Sequence, residues 1–335
     1  MAGRVALCRV VLPGLLLLLA IHGRAAALTL DLPVACTPGE DCFIANYVDL
    51  DLSPEAADYA CGLLTYDGHK GTDFALPDEP ARAAGVDVLA AAPGTVVAIR
   101  DSMPDTGPEQ TAEAFAGREC GNGVLIDHGD GFETQYCHLQ RGSIGVGPGD
   151  PVARGDVLGQ IGLSGNTMFP HVHFAVRKDG HTVDPFVGTQ GREGRCGRGY
   201  IPLWSEEAEN LLGYRPSWLA LAGFATAAPT AEAARAGAFA DTHFEAASDA
   251  LVVFADFYGM RADDRVRFIL RSPDDRVLVD HTETLPKAKA RWFAFAGTKR
   301  PQTGWPDGRY TGSILVVRNG TAVDALTRRI DITRD

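Results

Sequence analysis

Between about residue 86 and residue 186, the sequence consists of short apolar runs that are separated by glycine-containing turns. Short runs of this kind, bounded by Gly-Asp and Lys-Asp-Gly turns, are typical of antiparallel β-strands, and no amphipathic helix pattern interrupts them. The stretch HGDG at residues 128–131 predicts a hairpin that joins VLID to ETQYCHL as neighbouring strands. This region is therefore predicted to be all-β and mostly antiparallel.

One of these runs, FPHVHFAV, has the composition of a buried strand but contains two histidines, His171 and His173. Side chains two positions apart share one face of a strand, so both imidazoles are predicted to point the same way while the apolar residues take the other face. A single histidine in a strand is more often structural than functional. Two on one face of an apolar strand indicate a metal-binding or catalytic pair.

A second polar cluster lies in YDGHKGTDFALP, where His69 and Asp73 are separated by a glycine-containing step. Glycine lets the backbone fold back, so an imidazole and a carboxylate four positions apart can converge on one point. With one histidine of HVH they would supply two nitrogens and one oxygen and leave a fourth position open, as in catalytic zinc sites. Alone, this spacing is also compatible with an exposed polar turn.

The stretch TQYCHLQ contains a further candidate site residue, His138, on the strand that the hairpin folds back. If Tyr136 and His138 share one face of this strand, Cys137 lies on the other face, which suits a disulfide beneath the site.

Five segments occur in a defined order: GHKGTDFAL, DVLAAAPGTVVAIR, GNGVLIDHGDGFETQYCHL, GDPVARGDVLGQIGLSGNT, and HVHFAV followed by VDP. In this order they resemble the lysostaphin-like (LytM-type) zinc metallopeptidases over about residues 60–187. These are secreted endopeptidases of the duplicated-hybrid-motif β fold. The resemblance implies that zinc-activated water hydrolyses peptide cross-links of bacterial cell-wall peptidoglycan.

The resemblance also implies the roles of the histidines. One zinc ion would be held by His69, Asp73 and His173. Two catalytic histidines, His138 and His171, would not bind the metal. No HExxH glutamate is present, so the general-base role is expected to fall to a histidine, without a choice between the two.

Two other functions remain open. A non-catalytic peptidoglycan-binding regulator of another cell-wall hydrolase would retain the fold, but the intact set of ligands and histidines favours catalysis. Metal storage or copper handling would also use imidazoles. The aspartate ligand and the lack of methionine clusters argue against copper.

The N-terminal segment has basic residues, then a leucine-rich run, then three alanines that end at Ala27, as in a secretory signal. We expect residues 1–27 to be a signal peptide and the mature protein to be secreted, in a periplasmic or extracellular location. The apolar run is short for a membrane span, so no span is expected after signal removal. The chain has a formal net charge of −12 and no polybasic patch, which argues against nucleic acid as a partner.

Six cysteines follow the predicted signal, and an even number in an exported chain predicts disulfides. Cys36 and Cys42 close a short loop and are the expected first pair. The connectivity of the other four stays open.

Beyond the signal, the predicted organisation is a zinc metallopeptidase domain with an N-terminal extension at residues 28–199, an alanine-rich linker at 200–240, and an immunoglobulin-like β-sandwich of unknown role at 241–335. The segment at residues 102–119 interrupts the strand pattern of the first domain. It is predicted to be a loop or lid inserted between strands, and whether it is inhibitory stays open.

Overall fold

The computed structural model describes residue 3 and residues 28–107, 115–190, 196–197 and 201–334. All but one residue of the predicted signal lie outside this part of the chain. Among the described residues, no helix is both long enough and apolar enough to cross a membrane.

The first domain contains ten strands and one short helix. The strands are β1 (Phe43–Asn46), β2 (Thr72–Ala75), β3 (Asp87–Leu89), β4 (Gly94–Arg100), β5 (Asn122–Gly129), β6 (Phe132–Leu139), β7 (Pro151–Val152), β8 (Val157–Gln160), β9 (His171–Lys178) and β10 (His181–Val183), and the helix is α1 (Glu79–Ala83). Eight strands form one sheet in the order β1-β2-β9-β6-β5-β4-β7, with β10 added to β9, and β3 pairs with β8 in a smaller sheet. Every pair is antiparallel, which confirms the all-β prediction.

The HGDG hairpin joins β5 to β6 as predicted. Gly129, Asp130 and Gly131 have φ angles of 80°, 51° and 75°, in the left-handed region that tight hairpin turns require. Strand β6 then pairs with β9, so the hairpin brings the chain around His138 next to the HVH strand.

Strand β9 shows the alternation expected from its sequence. Val172, Phe174 and Val176 are at most 1% exposed and belong to the core of the first domain. His171 and His173 alternate with these residues along the strand and therefore point to the opposite, outer face of the sheet. The prediction that both imidazoles share a face is confirmed.

The second domain contains eight strands, preceded and interrupted by two short helices. They are α2 (Glu206–Leu211), β11 (Trp218–Ala225), α3 (Ala231–Arg235), β12 (His243–Glu245), β13 (Ala250–Met260), β14 (Arg265–Arg271), β15 (Val277–Thr284), β16 (Lys289–Lys299), β17 (Gly308–Arg318) and β18 (Thr321–Thr333). One sheet has the order β11-β13-β16, and the other has the order β12-β18-β17-β14-β15. Residues of both sheets share one hydrophobic core, as in a β-sandwich. The immunoglobulin-like arrangement stays a prediction.

The alanine-rich segment at residues 200–240 differs from the linker that the sequence predicted. Its residues 218–225 form β11, which pairs with β13 along its length. The small residues in LALAGFA show no clear alternation of apolar and polar side chains, so the sequence did not indicate a strand. Pairing with a neighbouring strand, more than side-chain size, decides which of these residues are buried. The other domain limits stay predictions.

The two domains are in contact through aromatic side chains. The ring of Phe43 lies 4.7 Å from that of Tyr258, and both Trp218 and Tyr258 join the core of the first domain. Phe169, beside the HVH strand, also contacts Tyr258, at 5.7 Å between ring centroids. The second domain is thus packed close to the site-bearing strand.

Three disulfides are present: Cys36–Cys42, Cys61–Cys196 and Cys120–Cys137. The first is the pair expected from the sequence. Its two cysteines lie with Asp41 in a group that resembles a metal site, but their sulfurs are already bonded to each other.

Candidate metal centre

The site is assembled by adjacent strands. In the antiparallel pair of β2 and β9, Asp73 lies directly opposite His173, and Ala75 lies opposite His171. His69 lies in the turn that leads into β2, where its backbone N–H donates to the carbonyl of Tyr66. The sheet register therefore brings the two predicted motifs together.

Glycines make this turn possible, as the sequence predicted. Gly68 has a φ angle of 73°, in the left-handed region. A Cβ atom at Gly71 would lie 2.6 Å from the Nε2 atom of His173 and 2.8 Å from the carbonyl oxygen of Phe174. A larger residue at position 71 would displace the imidazole of His173.

Three side-chain atoms converge at the outer face of the sheet. The Nε2 atom of His69 lies 3.2 Å from Oδ1 of Asp73 and 3.1 Å from Nδ1 of His173. The Nδ1 atom of His173 lies 2.8 Å from the same Oδ1 atom. These three residues form a group that could hold a metal ion.

The donor set fits zinc. Two imidazole nitrogens and one carboxylate oxygen, with a fourth position open, are a ligand set that zinc takes in catalytic sites. The Nδ1 atom of His69 lies 2.6 Å from the carbonyl oxygen of Tyr47, to which it donates, so Nε2 carries a lone pair. Two acceptors, this Nε2 atom and the carboxylate of Asp73, therefore face each other at 3.2 Å, an arrangement that a shared cation stabilises.

Asn46 was not predicted as a site residue but supports Asp73. Its Nδ2 atom donates to Oδ2 of Asp73 at 2.8 Å, which leaves Oδ1 for the metal-binding group. Asn46 ends strand β1 and lies opposite Asp73 in the register. The only local sign of this supporting role is a polar residue at the end of the apolar strand FIAN. The sequence does not indicate that Asp73 is its hydrogen-bond partner.

His138 is also brought to the site, 6% exposed, with its ring 4.7 Å from that of His171 and 6.1 Å from that of His173. Its Nδ1 atom donates to the carbonyl of Ser164 at 2.8 Å, which leaves Nε2 as a proton acceptor. Its backbone N–H donates to the carbonyl of Cys120 at 2.8 Å.

The sequence-based assignment of faces on β6 is wrong at His138. Tyr136 is fully buried in the core, whereas Cys137 and His138 both line the groove at the site. The cause is the φ angle of 64° at His138, which breaks the alternation of the strand. The Cys120–Cys137 disulfide therefore lies beside His138 in the groove wall, not beneath the site.

His171 completes the set of five. Its Nδ1 atom lies 3.0 Å from the carbonyl oxygen of Phe169 and 3.1 Å from Oγ1 of Thr167, and its Nε2 atom lies 3.5 Å from Oδ1 of Asp73. Its ring contacts that of Phe169, with centroids 4.7 Å apart. The structure thus brings together every residue that the sequence singled out.

Burial controls the protonation of the two further histidines. Burial, together with the neighbouring imidazoles of His171 and His173, holds the pKa of His138 well below its usual range. Burial also lowers the pKa of His171, although Asp73 opposes this change. Both imidazoles are therefore neutral near neutral pH and can accept a proton.

Three of the five residues, His69, His138 and His173, border an open groove of about 510 Å³. Its wall includes Tyr66, Lys70, Asn166 and Arg177, none of which was predicted as a site residue. Burial and the charge of Asp73 raise the pKa of Tyr66 to about 12, so its hydroxyl remains a hydrogen-bond donor. Tyr66 and Lys70 lie near His69 in sequence, and Arg177 lies four residues after His173 on the same face of β9.

The predicted lid at residues 102–119 is described at its two ends. Asn122 bonds both backbone groups of Met103, and Asp105 accepts the N–H of Leu163, so the first end is held against the domain. Residues 108–114, in the middle of this segment, lie outside the described residues.

The chain was compared with known proteins. Residues 67–185 match the model of peptidase family M23. The DD-carboxypeptidase/endopeptidase Mpg of Neisseria meningitidis serogroup B is 33% identical over 125 residues, 37% of this chain and 23% of that protein. The peptidoglycan DD-endopeptidase ShyA of Vibrio cholerae is 33% identical over 116 residues, 35% of this chain and 22% of that protein.

These curated relatives are matched over about a quarter of their own length. Among solved structures, a putative peptidase M23 from Pseudomonas aeruginosa is 29% identical, with 49% of this chain and 51% of that chain covered and a TM-score of 0.29. Residues 67–185 are a peptidase family M23 domain, which confirms the resemblance inferred from the sequence.

Proposed function

We propose that the protein is a secreted zinc metalloendopeptidase that hydrolyses peptide cross-links of bacterial peptidoglycan. The observation that carries this proposal is the convergence of two imidazole nitrogens and one carboxylate oxygen, within 3.2 Å of one another, in an M23 domain. Relatives whose names describe DD-endopeptidases support the substrate class.

His69, Asp73 and His173 would hold the single zinc ion. When bound, zinc supplies a polarised substrate carbonyl and a water whose pKa is lowered to about 7. Tyr47 and Asn46 orient the ligands. The carbonyl oxygen of Tyr47 accepts from the imidazole of His69, and the side-chain amide of Asn46 donates to the carboxylate of Asp73. These contacts hold the donor atoms in place before substrate arrives.

His138 and His171 would move the proton. With Nδ1 of His138 committed to Ser164, its Nε2 atom can take a proton from the attacking water and pass it to the leaving amine. His171, held by Phe169, has its ring 4.7 Å from that of His138; once it has taken up a proton, its imidazolium would stabilise the charge that develops on the carbonyl oxygen. The choice of which imidazole acts as the base is part of the proposal's test.

The location follows from the cysteines. Three disulfides persist in an oxidising compartment, which supports a periplasmic or extracellular location, where peptidoglycan is reached. The signal peptide at residues 1–27 stays a prediction.

The test is digestion of isolated peptidoglycan by the protein, with and without a chelator. We expect new amino and carboxyl termini within the peptide cross-links, identified by mass spectrometry, and no such termini after chelation. Products cut in the sugar chain, or digestion that is unaffected by chelation, would contradict the proposal. Metal analysis of the purified protein separates zinc from copper.

The alternative is a non-catalytic peptidoglycan-binding regulator of another cell-wall hydrolase. The complete donor set and both further histidines still favour catalysis. Binding to peptidoglycan without any new peptide termini, in the presence of zinc, would support the regulator.

A further inference from the structure

The groove at the metal centre continues across the outer face of the sheet. A second cavity of about 260 Å³ lies over β4 and β5, and it shares Glu119, Cys120 and Gln135 with the first. We call the two cavities together the extended groove. A continuous channel of this kind suits an extended substrate chain more than a small molecule.

The charge of the extended groove is opposite to that of the chain. The whole protein has 31 basic and 43 acidic residues. Apart from the metal-site residues, the charged side chains that line the groove in the described part of the chain are four cations and one carboxylate. These are Lys70, Arg100, Arg118, Arg177 and Glu119. A cationic channel on an acidic protein favours an anionic ligand.

Two of these cations form no ion pair among the described residues, although the charge of Arg100 contributes to lowering the pKa of Glu119. The nitrogens of Arg100 and Arg177 form no ion pair with any carboxylate of the described residues; Arg100 donates to the carbonyl of Gly121 at 3.2 Å, and Arg177 donates to Gln135. Glu133 lies opposite Arg177 in the sheet register but is not paired with it. Elsewhere, buried or half-buried arginines such as Arg235 and Arg318 are neutralised by aspartates.

The position of Arg177 relates it to the metal centre. His173, Ala175 and Arg177 share the outer face of β9, and all three line the groove. Four residues of strand span about 13 Å, and the arginine side chain covers part of this distance. Its guanidinium is therefore within reach of a substrate group roughly two residues from the bond to be cut.

We propose that the extended groove selects a substrate peptide with a free carboxylate near the scissile bond, and that Arg177 receives this carboxylate. Guanidinium groups bind carboxylates through two parallel hydrogen bonds, which gives both affinity and orientation. Arg100 offers a second such group in the far part of the groove. This inference rests on the proposed function and names its substrate class more closely.

The test uses two synthetic peptides that differ in one group. Each contains the amide to be cut, and one has a free carboxylate two residues away where the other has a carboxamide. Binding to the full chain is measured by calorimetry with and without added zinc, and turnover is measured with zinc. We expect the carboxylate peptide to bind about 10- to 100-fold more tightly, as for a charge-assisted contact.

Arg177→Gln should remove most of this preference, mainly through KM, so that the carboxylate and carboxamide peptides bind about equally. Arg154→Gln is the matched control, because Arg154 lies elsewhere on the same domain and pairs with Asp31. Added salt should weaken the binding of the carboxylate peptide more than the binding of the carboxamide peptide.

Equal binding of the two peptides by the unaltered protein would overturn the inference, and so would a preference that survives in Arg177→Gln. If the carboxylate peptide binds selectively through Arg177 but is not cut in the presence of zinc, the inference stands and the proposed hydrolase function fails. The two failures are therefore distinguishable.

Discussion

The candidate metal centre of the first domain and the three-stranded sheet of the second domain each bury a carboxylate. In the second domain, Asp256 is fully buried and accepts hydrogen bonds from the guanidinium groups of Arg235 and Arg291, at 2.7–3.0 Å. In the first domain, Asp73 is 2% exposed, and its neighbours on Oδ1 are imidazole nitrogens of His69, His171 and His173.

The difference shows what each carboxylate requires. Guanidinium groups carry permanent positive charge, so Asp256 is satisfied by the protein itself. Asp73 raises the pKa of His69, but an imidazole is charged only when it is protonated, so Asp73 lacks a permanent positive partner among the described residues. A buried carboxylate with lone pairs around it is a feature of a cation site, whereas one with arginines around it is a feature of a folded core.

The largest effect is expected from Asp73→Asn, which removes the negative charge from the metal-binding group. We expect loss of bound zinc and a fall in turnover of roughly 10³-fold or more, because the remaining imidazoles are a weaker site. Elemental analysis and peptidoglycan digestion measure the two effects. Full zinc content in this variant would show that Asp73 is not a zinc ligand, and Asp73 would then not differ from Asp256 in this respect.

His138→Ala sharpens the comparison within the first domain. We expect this variant to keep its zinc and lose about 10²- to 10⁴-fold in turnover, because His138 would transfer protons without binding the metal. His171→Ala should behave in the same way. Loss of zinc from either variant would show that the division into ligands and catalytic histidines is misassigned.

Asp256→Asn is the matched substitution in the second domain. It should leave the zinc content unchanged and lower the free energy of unfolding by about 1–3 kcal/mol, because two partly buried guanidinium groups lose their counter-charge. Denaturant unfolding, with zinc analysis of the folded variant, provides the measurement. A parallel loss of zinc would mean that the second domain supports the metal centre more directly than its contacts indicate.

Asp184 is a buried carboxylate that is bonded neither to a guanidinium group nor to an imidazole among the described residues. Its Oδ1 atom accepts the N–H of Phe186, while Oδ2 has no hydrogen-bond partner among the described residues. Burial raises the pKa of Asp184 to about 7, so the folded protein favours the protonated form. This contribution to stability is complete below about pH 4 and is lost as the pH rises to about 7.

Asp184→Asn should therefore flatten the pH dependence of unfolding in this window, by about 2–4 kcal/mol. Histidines that are buried in the neutral form, such as His171, act in the opposite direction between the same pH values. The informative quantity is thus the difference between the variant and the unaltered protein at each pH. An unchanged difference from pH 4 to pH 7 would refute the raised pKa.

Much of the site could be predicted because its signals are local. Two histidines on one face of a strand, and a histidine and an aspartate around a glycine turn, follow from backbone periodicity and from the freedom of glycine. The support of the site could not be predicted in this way. Asn46 meets Asp73 across 27 positions, and His138 meets Ser164 across 26.

The sequence by itself determined an all-β chain with antiparallel strands, the shared face of His171 and His173, and the first disulfide. Tertiary structure alone decided that residues 218–225 form a strand and that His138 turns toward the groove with a positive φ angle. The physical reason is range: alternation and turn chemistry act between near neighbours, whereas strand pairing and backbone strain depend on contacts that distant segments supply.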